Sequence, residues 1–345
     1  MTKTKSVQPK LLFIGFGNVG RKVAEVLISP KEKFPKLAGF NPIVVGIFTN
    51  SHGAIINQHG VNLEKTFNEF EKSGRFSKHN ADYSDMSVEE AIKNLDYDVL
   101  VELTTLSIKE KGEPAISHVK NALSRGKHVV SANKGPEAFA YQELHSLAQK
   151  NNCKFLFESA VMDGAPIFNL YKNGLKGCKV NGLSGVLNST TNFIFSQMEN
   201  GNSFDHALKE AQQLGFVESD FANDVDGWDA AAKIAVLTNV LMDVSITPFD
   251  VLREGIRDYT PAQAQNAYER GYHLKLVCRA FYKDEKLITR VAVEEVPDDH
   301  IFSKVTGSGS VLRIETDLMN PIMIVQENPT LIDTAYGVLN DLLQL

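Results

Sequence analysis

The sequence predicts an α/β protein: a Rossmann-type doubly wound parallel sheet followed by a second, α+β domain. Three observations predict it. A glycine fingerprint stands between an N-terminal apolar strand and a helix, and strands and helices alternate up to about residue 157. From about residue 160 that alternation gives way to helices grouped among hairpin-connected strands.

Residues 11–20 read LLFIGFGNVG, a short apolar strand running into Gly15, Gly17 and Gly20 and then into an amphipathic helix over 21–27. The first glycine suits the tight turn, the second the close approach of a pyrophosphate, and the third helix-on-strand packing, with the phosphates at the helix N-terminus. A bare G-x-G-x-x-G is weak; here it has the strand and helix that the motif requires. Gly15, Phe16, Gly17, Asn18, Val19, Gly20 and Arg21 are therefore candidate cofactor contacts. A second apolar strand at 43–48 ends in Thr49, Asn50 and Ser51, where an NAD-selective site usually has an acid for the ribose hydroxyls. Nothing there repels a 2′-phosphate. Arg21 and Lys22 read either as its partners or as a solvated helix start, so the cofactor is NADP or NAD.

Residues 51–80, punctuated by Gly53, Gly60 and Gly74, read as a long surface excursion. Alternation then resumes with helices at 88–95, 114–124 and 136–150 and strands at 98–103, 128–131 and 154–158. Beyond residue 160, helices at 191–198, 204–214 and 229–242 are interleaved with strands at 180–187, 274–281, 287–295, 310–315 and 322–326. Residues 283–285 and 317–321 read as hairpin turns, and 331–343 as a last helix.

At 345 residues with 43% hydrophobic content, the chain can bury two cores. Its 36 basic and 42 acidic residues give a formal net charge of −6, which argues against a nucleic-acid surface. Cys153, Cys178 and Cys278 have no metal-type spacing, so neither a disulfide framework nor a structural zinc is expected. The first ten residues lead straight into a strand without an apolar signal core, and no run of 18 apolar residues occurs. The expectation is a soluble cytoplasmic protein without membrane partners.

The richest chemistry lies at 215–237, GFVESDFANDVDGWDAAAKIAVL, which sets Glu218, Asp224, Asp229 and Lys233 in and beside one helix. Asp229 and Lys233, four apart, share a helix face. Alone they read as an ordinary surface pair. The apolar residues on every side, from Trp228 to Leu237, argue for burial instead, and a lysine buried among acids marks a place where a proton is moved.

These residues are similar to the homoserine dehydrogenase family. The resemblance rests on GFGNVGR at 15–21, SANKGP at 131–136, LNSTTNFI at 187–194, the segment from 215 to 233, and TAYGVLNDLL at 334–343. It implies interconversion of aspartate β-semialdehyde and homoserine with a nicotinamide cofactor. It divides the chain into a dinucleotide-binding domain over 1–157, onto which the helix of 327–345 packs back, and a substrate-binding and dimerisation domain over 158–326. It implies Lys233, Asp229 and Lys134 as catalytic residues, with Lys233 favoured for proton transfer. Glu218, Asp224, Thr190 and Ser189 are implied at the substrate, Thr104 and Lys134 at the cofactor, and a sodium ion near Glu158, Val161, Asp163 and Ala165. The expected partners are a small amino-acid substrate and a second copy of the chain. Thr190 also reads as an ordinary N-cap. No regulatory domain follows, so feedback through one is not implied.

The departures ring the implied site. Phe221 stands where the family usually has proline, Ser189 where it has glycine, and Phe216 where it has tyrosine. The glycine-rich stretches appear here as Met162-Asp163-Gly164-Ala165-Pro166 and Glu327-Asn328-Pro329. They leave open a dehydrogenase for another small aldehyde, or a nucleotide-binding paralogue without turnover.

Overall fold

A computed structural model describes residues 8–213 and 221–345. The described residues divide into two compact units, one of residues 8–136, 142–164 and 330–345, the other of residues 137–141, 165–213 and 221–329.

In the first unit, β1 (Lys10–Ile14) runs into α1 (Asn18–Ile28), and β2 (Ile43–Phe48) pairs parallel with β1. The stretch read as a surface excursion is structured: β3 (Ala54–Ile56) turns back antiparallel on β2, and α2 (Leu63–Ser73) follows. The glycines taken as loop punctuation have defined tasks. Gly53 (φ +90°) turns the hairpin and Gly74 (φ +68°) ends α2 in the left-handed region, while Asn62 caps its start by accepting from Lys65 N. After β4 (Tyr83–Ser84) come α3 (Val88–Asn94), β5 (Val99–Glu102), α4 (Ala115–Ser124), β6 (His128–Ser131), α5 (Gly135–Lys150) and β7 (Phe155–Leu156). The sheet order is β4-β3-β2-β1-β5-β6-β7, parallel from β2 to β7. The strand expected at 154–158 stops early, because Glu158 opens a 3₁₀ turn and its N–H donates to the Asp341 carboxylate at 2.7 Å.

In the second unit a one-turn α6 (Ile167–Asn169) precedes β8 (Val180–Val186), α7 (Ser189–Glu199), α8 (Phe204–Gln213), α9 (Ala222–Val225) and α10 (Trp228–Leu241). Then come β9 (Leu252–Arg253), α11 (Pro261–Glu269), β10 (Tyr272–Lys283), β11 (Lys286–Pro297), α12 (Ile301–Lys304), β12 (Ser310–Thr316) and β13 (Ile322–Gln326). The six-stranded sheet has order β13-β12-β8-β10-β11-β9. Asp284 and Glu285, both at positive φ, make the two-residue turn between β10 and β11. Helices α7, α10 and α11 pack on β10.

The last helix, α13 (Leu331–Leu342), belongs to the first unit, where Ala335, Val338, Leu339 and Leu342 share a core with Val23, Ala24 and Val26 of α1. Among the described residues no helix is long and apolar enough to cross a membrane, and all three cysteines are free thiols.

Candidate active site

In the first unit the strand order reverses at β1, with β2 on one side and β5 on the other, so the crevice at the carboxyl ends of β1 and β5 is the place for a ligand. The glycine loop lies there. Gly15 (φ +102°) donates its N–H to Phe48 O at 2.8 Å, and a Cβ on it would fall 2.6 Å from the Leu103 carbonyl carbon and 2.9 Å from Thr104 N. A Cβ on Gly20 would lie 3.0 Å from Gly15 O. One on Gly17 would meet nothing within 4 Å. Gly17 is the N-cap of α1 and has no side chain to cap it, and no acid stands in the first turn. Two glycines thus serve internal packing, while the third leaves open space before unscreened helix N–H groups, which fits a pyrophosphate.

Other fingerprint residues divide differently than expected. Phe16 turns inward, 2% exposed, against Phe70 and Phe76, so only its backbone faces the loop. Val19 is half-buried against that core. The Arg21 guanidinium bonds to the exposed Asn18 Oδ1 at 2.7 Å and to Glu71 of α2 at 2.6 Å, and Lys22 pairs with Glu25 at 2.5 Å. Thr49 has no free role at the end of β2, because its hydroxyl donates to Gly53 O and accepts from His52 N.

At the neighbouring strand ends, Thr104 follows β5 and Lys134 is the N-cap residue of α5. Asn133 links them: its Nδ2 donates to Thr104 Oγ1 at 3.0 Å and its Oδ1 accepts from Gly135 N at 2.8 Å.

The second unit holds the polar cluster. Gly227 (φ +77°) makes the left-handed turn before α10, and a Cβ there would sit 2.6 Å from Glu254 O. One helical turn then sets Lys233 Nζ 2.9 Å from Asp229 Oδ2, with the two side chains 16% and 15% exposed, a half-buried pair between the surface and the buried readings. Lys233 also donates to Leu187 O at 2.7 Å. Asn188, which the sequence reading did not single out, joins the acids. Its Nδ2 donates to Asp224 Oδ1 at 2.7 Å and to Asp229 Oδ2 at 2.9 Å, while its Oδ1 caps α7 by accepting from Thr191 N at 2.8 Å. Thr190 is therefore not the N-cap; it lies in the first turn, 3% exposed. The Ser189 hydroxyl donates to Ser308 O at 2.8 Å, which ties it to the loop before β12. Beneath the cluster Cys278 is fully buried near Ala230 O, and burial pushes its thiol up to about 12. Glu218 lies outside the described residues.

The region implied for sodium is committed in part. Asp163 (φ +54°) accepts from Thr334 Oγ1 at 2.8 Å through Oδ1, which ties it to α13. Glu158 and Val161 are buried, and Ala165 belongs to the other unit. Among the described residues no group of three His, Cys, Asp or Glu side chains is placed to hold a metal.

The whole chain has known relatives. Residues 166–343 match the family model for homoserine dehydrogenase, and residues 15–158 match that of its NAD binding domain. A homoserine dehydrogenase of Methanocaldococcus jannaschii is 37% identical over 97% of this chain and 98% of its own. The NAD(+)-dependent homoserine dehydrogenase of Pseudomonas canavaninivorans is 31% identical over 97% and 96%. A hyperthermophilic archaeal homoserine dehydrogenase solved in complex with NADPH superposes with a TM-score of 0.81 at 28% identity, over 98% of this chain and 97% of that one. With its glycine loop and its half-buried lysine–acid cluster, the chain belongs to the homoserine dehydrogenase family, whose members are NAD(P)-dependent oxidoreductases.

Proposed function

We propose that the chain interconverts L-aspartate 4-semialdehyde and L-homoserine in the cytoplasm, on the route to threonine and methionine. The observation that carries this reading is the hydrogen-bonded set Asn188, Asp224, Asp229 and Lys233, which puts one cation among acids in a largely buried setting. The nicotinamide, when bound, supplies or accepts the hydride. Lys233 gives a proton to the aldehyde oxygen in reduction and takes it back in oxidation. Asp229 and Leu187 O hold the ammonium in place for that transfer. Lys134, at the N-terminus of α5, is the alternative proton carrier. By resemblance Glu218 meets the substrate ammonium, with Asp224 assisting. The first-turn N–H groups at Ser189 and Thr190 favour the carboxylate. Ser189 serves there through its backbone, because its hydroxyl is bound to Ser308 O.

Mixing the protein with homoserine and NADP or NAD should raise absorbance at the reduced-nicotinamide band. Tight cofactor binding with no turnover would instead mark a binding paralogue. Because 49–51 lacks an acid, NADP(H) is expected to bind at least as well as NAD(H), with Arg21 leaving Glu71 for the 2′-phosphate. Arg21→Ala should weaken NADP about tenfold and NAD less than threefold in titration calorimetry. Equal losses would show that another residue reads the ribose.

A homodimer is part of the proposal. Cys278 of β10 faces the helices, so its neighbour Arg279 points to the opposite sheet face. That face carries a concavity of about 930 Å³, lined among others by Lys179, Ser184, Arg279, Phe281, Arg290 and Glu315. The Lys233 cluster is not part of it, which suits a protein contact better than a substrate pocket. Light scattering should give twice the 38.1 kDa chain mass, and Arg279→Glu, which opposes Glu294 at 2.7 Å, should lower it. A monomeric wild type at micromolar concentration would overturn the dimer.

A further inference from the structure

Glu102 is the last residue of β5, wholly buried in an otherwise apolar strand, and neither the proton-transfer chemistry nor the glycine fingerprint uses it. A buried carboxylate is costly unless its oxygens are occupied. Here they are. Oε1 accepts from the N–H of Thr104 at 2.8 Å and from its hydroxyl, and Oε2 faces Nδ1 of His118 at 2.8 Å. His118 belongs to α4 and is itself 5% exposed.

The network continues with a fixed direction. With its hydroxyl hydrogen directed at Glu102, Thr104 Oγ1 is left as an acceptor, and it accepts from Asn133 Nδ2 at 3.0 Å. That orients the Asn133 amide so that Oδ1 receives Gly135 N, the first N–H of α5. Both walls of the crevice are thereby tied to one carboxylate. On one side the 103–104 peptide supports the glycine loop, because Gly15 packs so closely that a Cβ would touch Leu103 C and Thr104 N. On the other, Gly135 rests on Gly112 with no room for a side chain, its Cβ position being 2.9 Å from Gly112 Cα.

We propose that Glu102 and His118 are a positioning pair for the cofactor: through Thr104 and Asn133 they fix the distance and orientation of the glycine loop relative to the start of α5. An apolar pair of similar volume would hold a strand to a helix without desolvating a carboxylate, but it would leave the Thr104 hydroxyl and the Asn133 amide free to rotate. This rests on the reading that the crevice takes a nicotinamide dinucleotide. It assigns the pair to cofactor geometry and not to substrate or proton transfer.

The test measures the Kd for NADH by reduced-nicotinamide fluorescence, and the KM for homoserine separately, on the full-length protein. Thr104→Val and Glu102→Leu should each raise the NADH Kd tenfold or more, with the homoserine KM within threefold of wild type. Glu102→Gln should fall between. His118→Asn, whose amide nitrogen takes the place of Nδ1 and still donates to Glu102, should stay within threefold, whereas His118→Leu should follow Glu102→Gln. A purely structural role would lower Tm and leave the NADH Kd of the folded variants alone. Should Glu102→Leu fail to fold, Glu102→Gln and His118→Leu carry the result, and NADH affinities within twofold of wild type in both overturn the proposal. A wild type that binds neither NADH nor NADPH would sink the cofactor reading itself, and the proposal with it.

Discussion

Lys233→Ala lowers kcat by at least about 100-fold and leaves the Kd for the cofactor within a few fold, because positioned proton transfer is worth about 10²–10⁴. The glycine fingerprint belongs to a different unit of the chain from Lys233. Lys233→Arg separates charge from proton transfer. A guanidinium keeps a cation beside Asp229 but does not give up its proton near neutral pH, so its kcat should remain close to that of the alanine variant. Steady-state rates with saturating homoserine and either cofactor provide the measurement. A near-normal kcat in Lys233→Ala would move the proton to Lys134; recovery in Lys233→Arg alone would mean that the lysine acts by charge.

Much of this was legible in the sequence, for reasons that differ from residue to residue. The helix carrying Lys233 is apolar on every side over 230–241, and that composition announces burial directly. The glycine fingerprint was legible because Gly15 and Gly20 answer local backbone demands, such as φ +102° at Gly15, and Gly17 keeps open the space before the helix. α11 was overlooked although its start was written in the chain: Thr260 caps, Pro261 begins the helix and Gln263 returns the bond to Thr260. At 51–80 the glycines were noticed but read as breaks, while the apolar triplet Ala54-Ile55-Ile56 was too short to register as a strand. Asn188 and Glu102 were hidden for a deeper reason. Asn188 meets acids 36 and 41 residues away, and Glu102 a histidine 16 residues on, and no periodicity encodes such pairings. The one signal at Glu102 was a carboxylate in an apolar strand, a conflict that only a buried partner resolves.

Asn188→Asp should cut kcat by about 100-fold or more and make stability depend on pH in a way the wild type does not show. The exchange is nearly isosteric, and aspartate is as good an N-cap as asparagine, so the bond from Thr191 N to the cap survives. What changes is the other end of the side chain. The Nδ2 donor that now lies 2.7 Å from Asp224 Oδ1 and 2.9 Å from Asp229 Oδ2 becomes a carboxylate oxygen facing two carboxylates. Like charges that close make full ionisation costly, so in the folded state one of the three gives up its proton only at a pKa raised above the unfolded value of about 3.9. The sign of the linkage follows. Between the unfolded and the raised folded pKa the native state binds the extra proton, so stability falls as pH rises through that window and returns as pH is lowered. The difference in Tm between variant and wild type should therefore shrink from pH 8 towards pH 5. Above that raised pKa the added charge also draws Lys233 away from the Leu187 carbonyl, which is why the rate should fall with the stability. Thermal unfolding by circular dichroism at pH 5, 6.5 and 8, beside kcat at pH 7.5, decides it: a Tm difference that stays constant with pH would mean that Asn188 acts only as a helix cap.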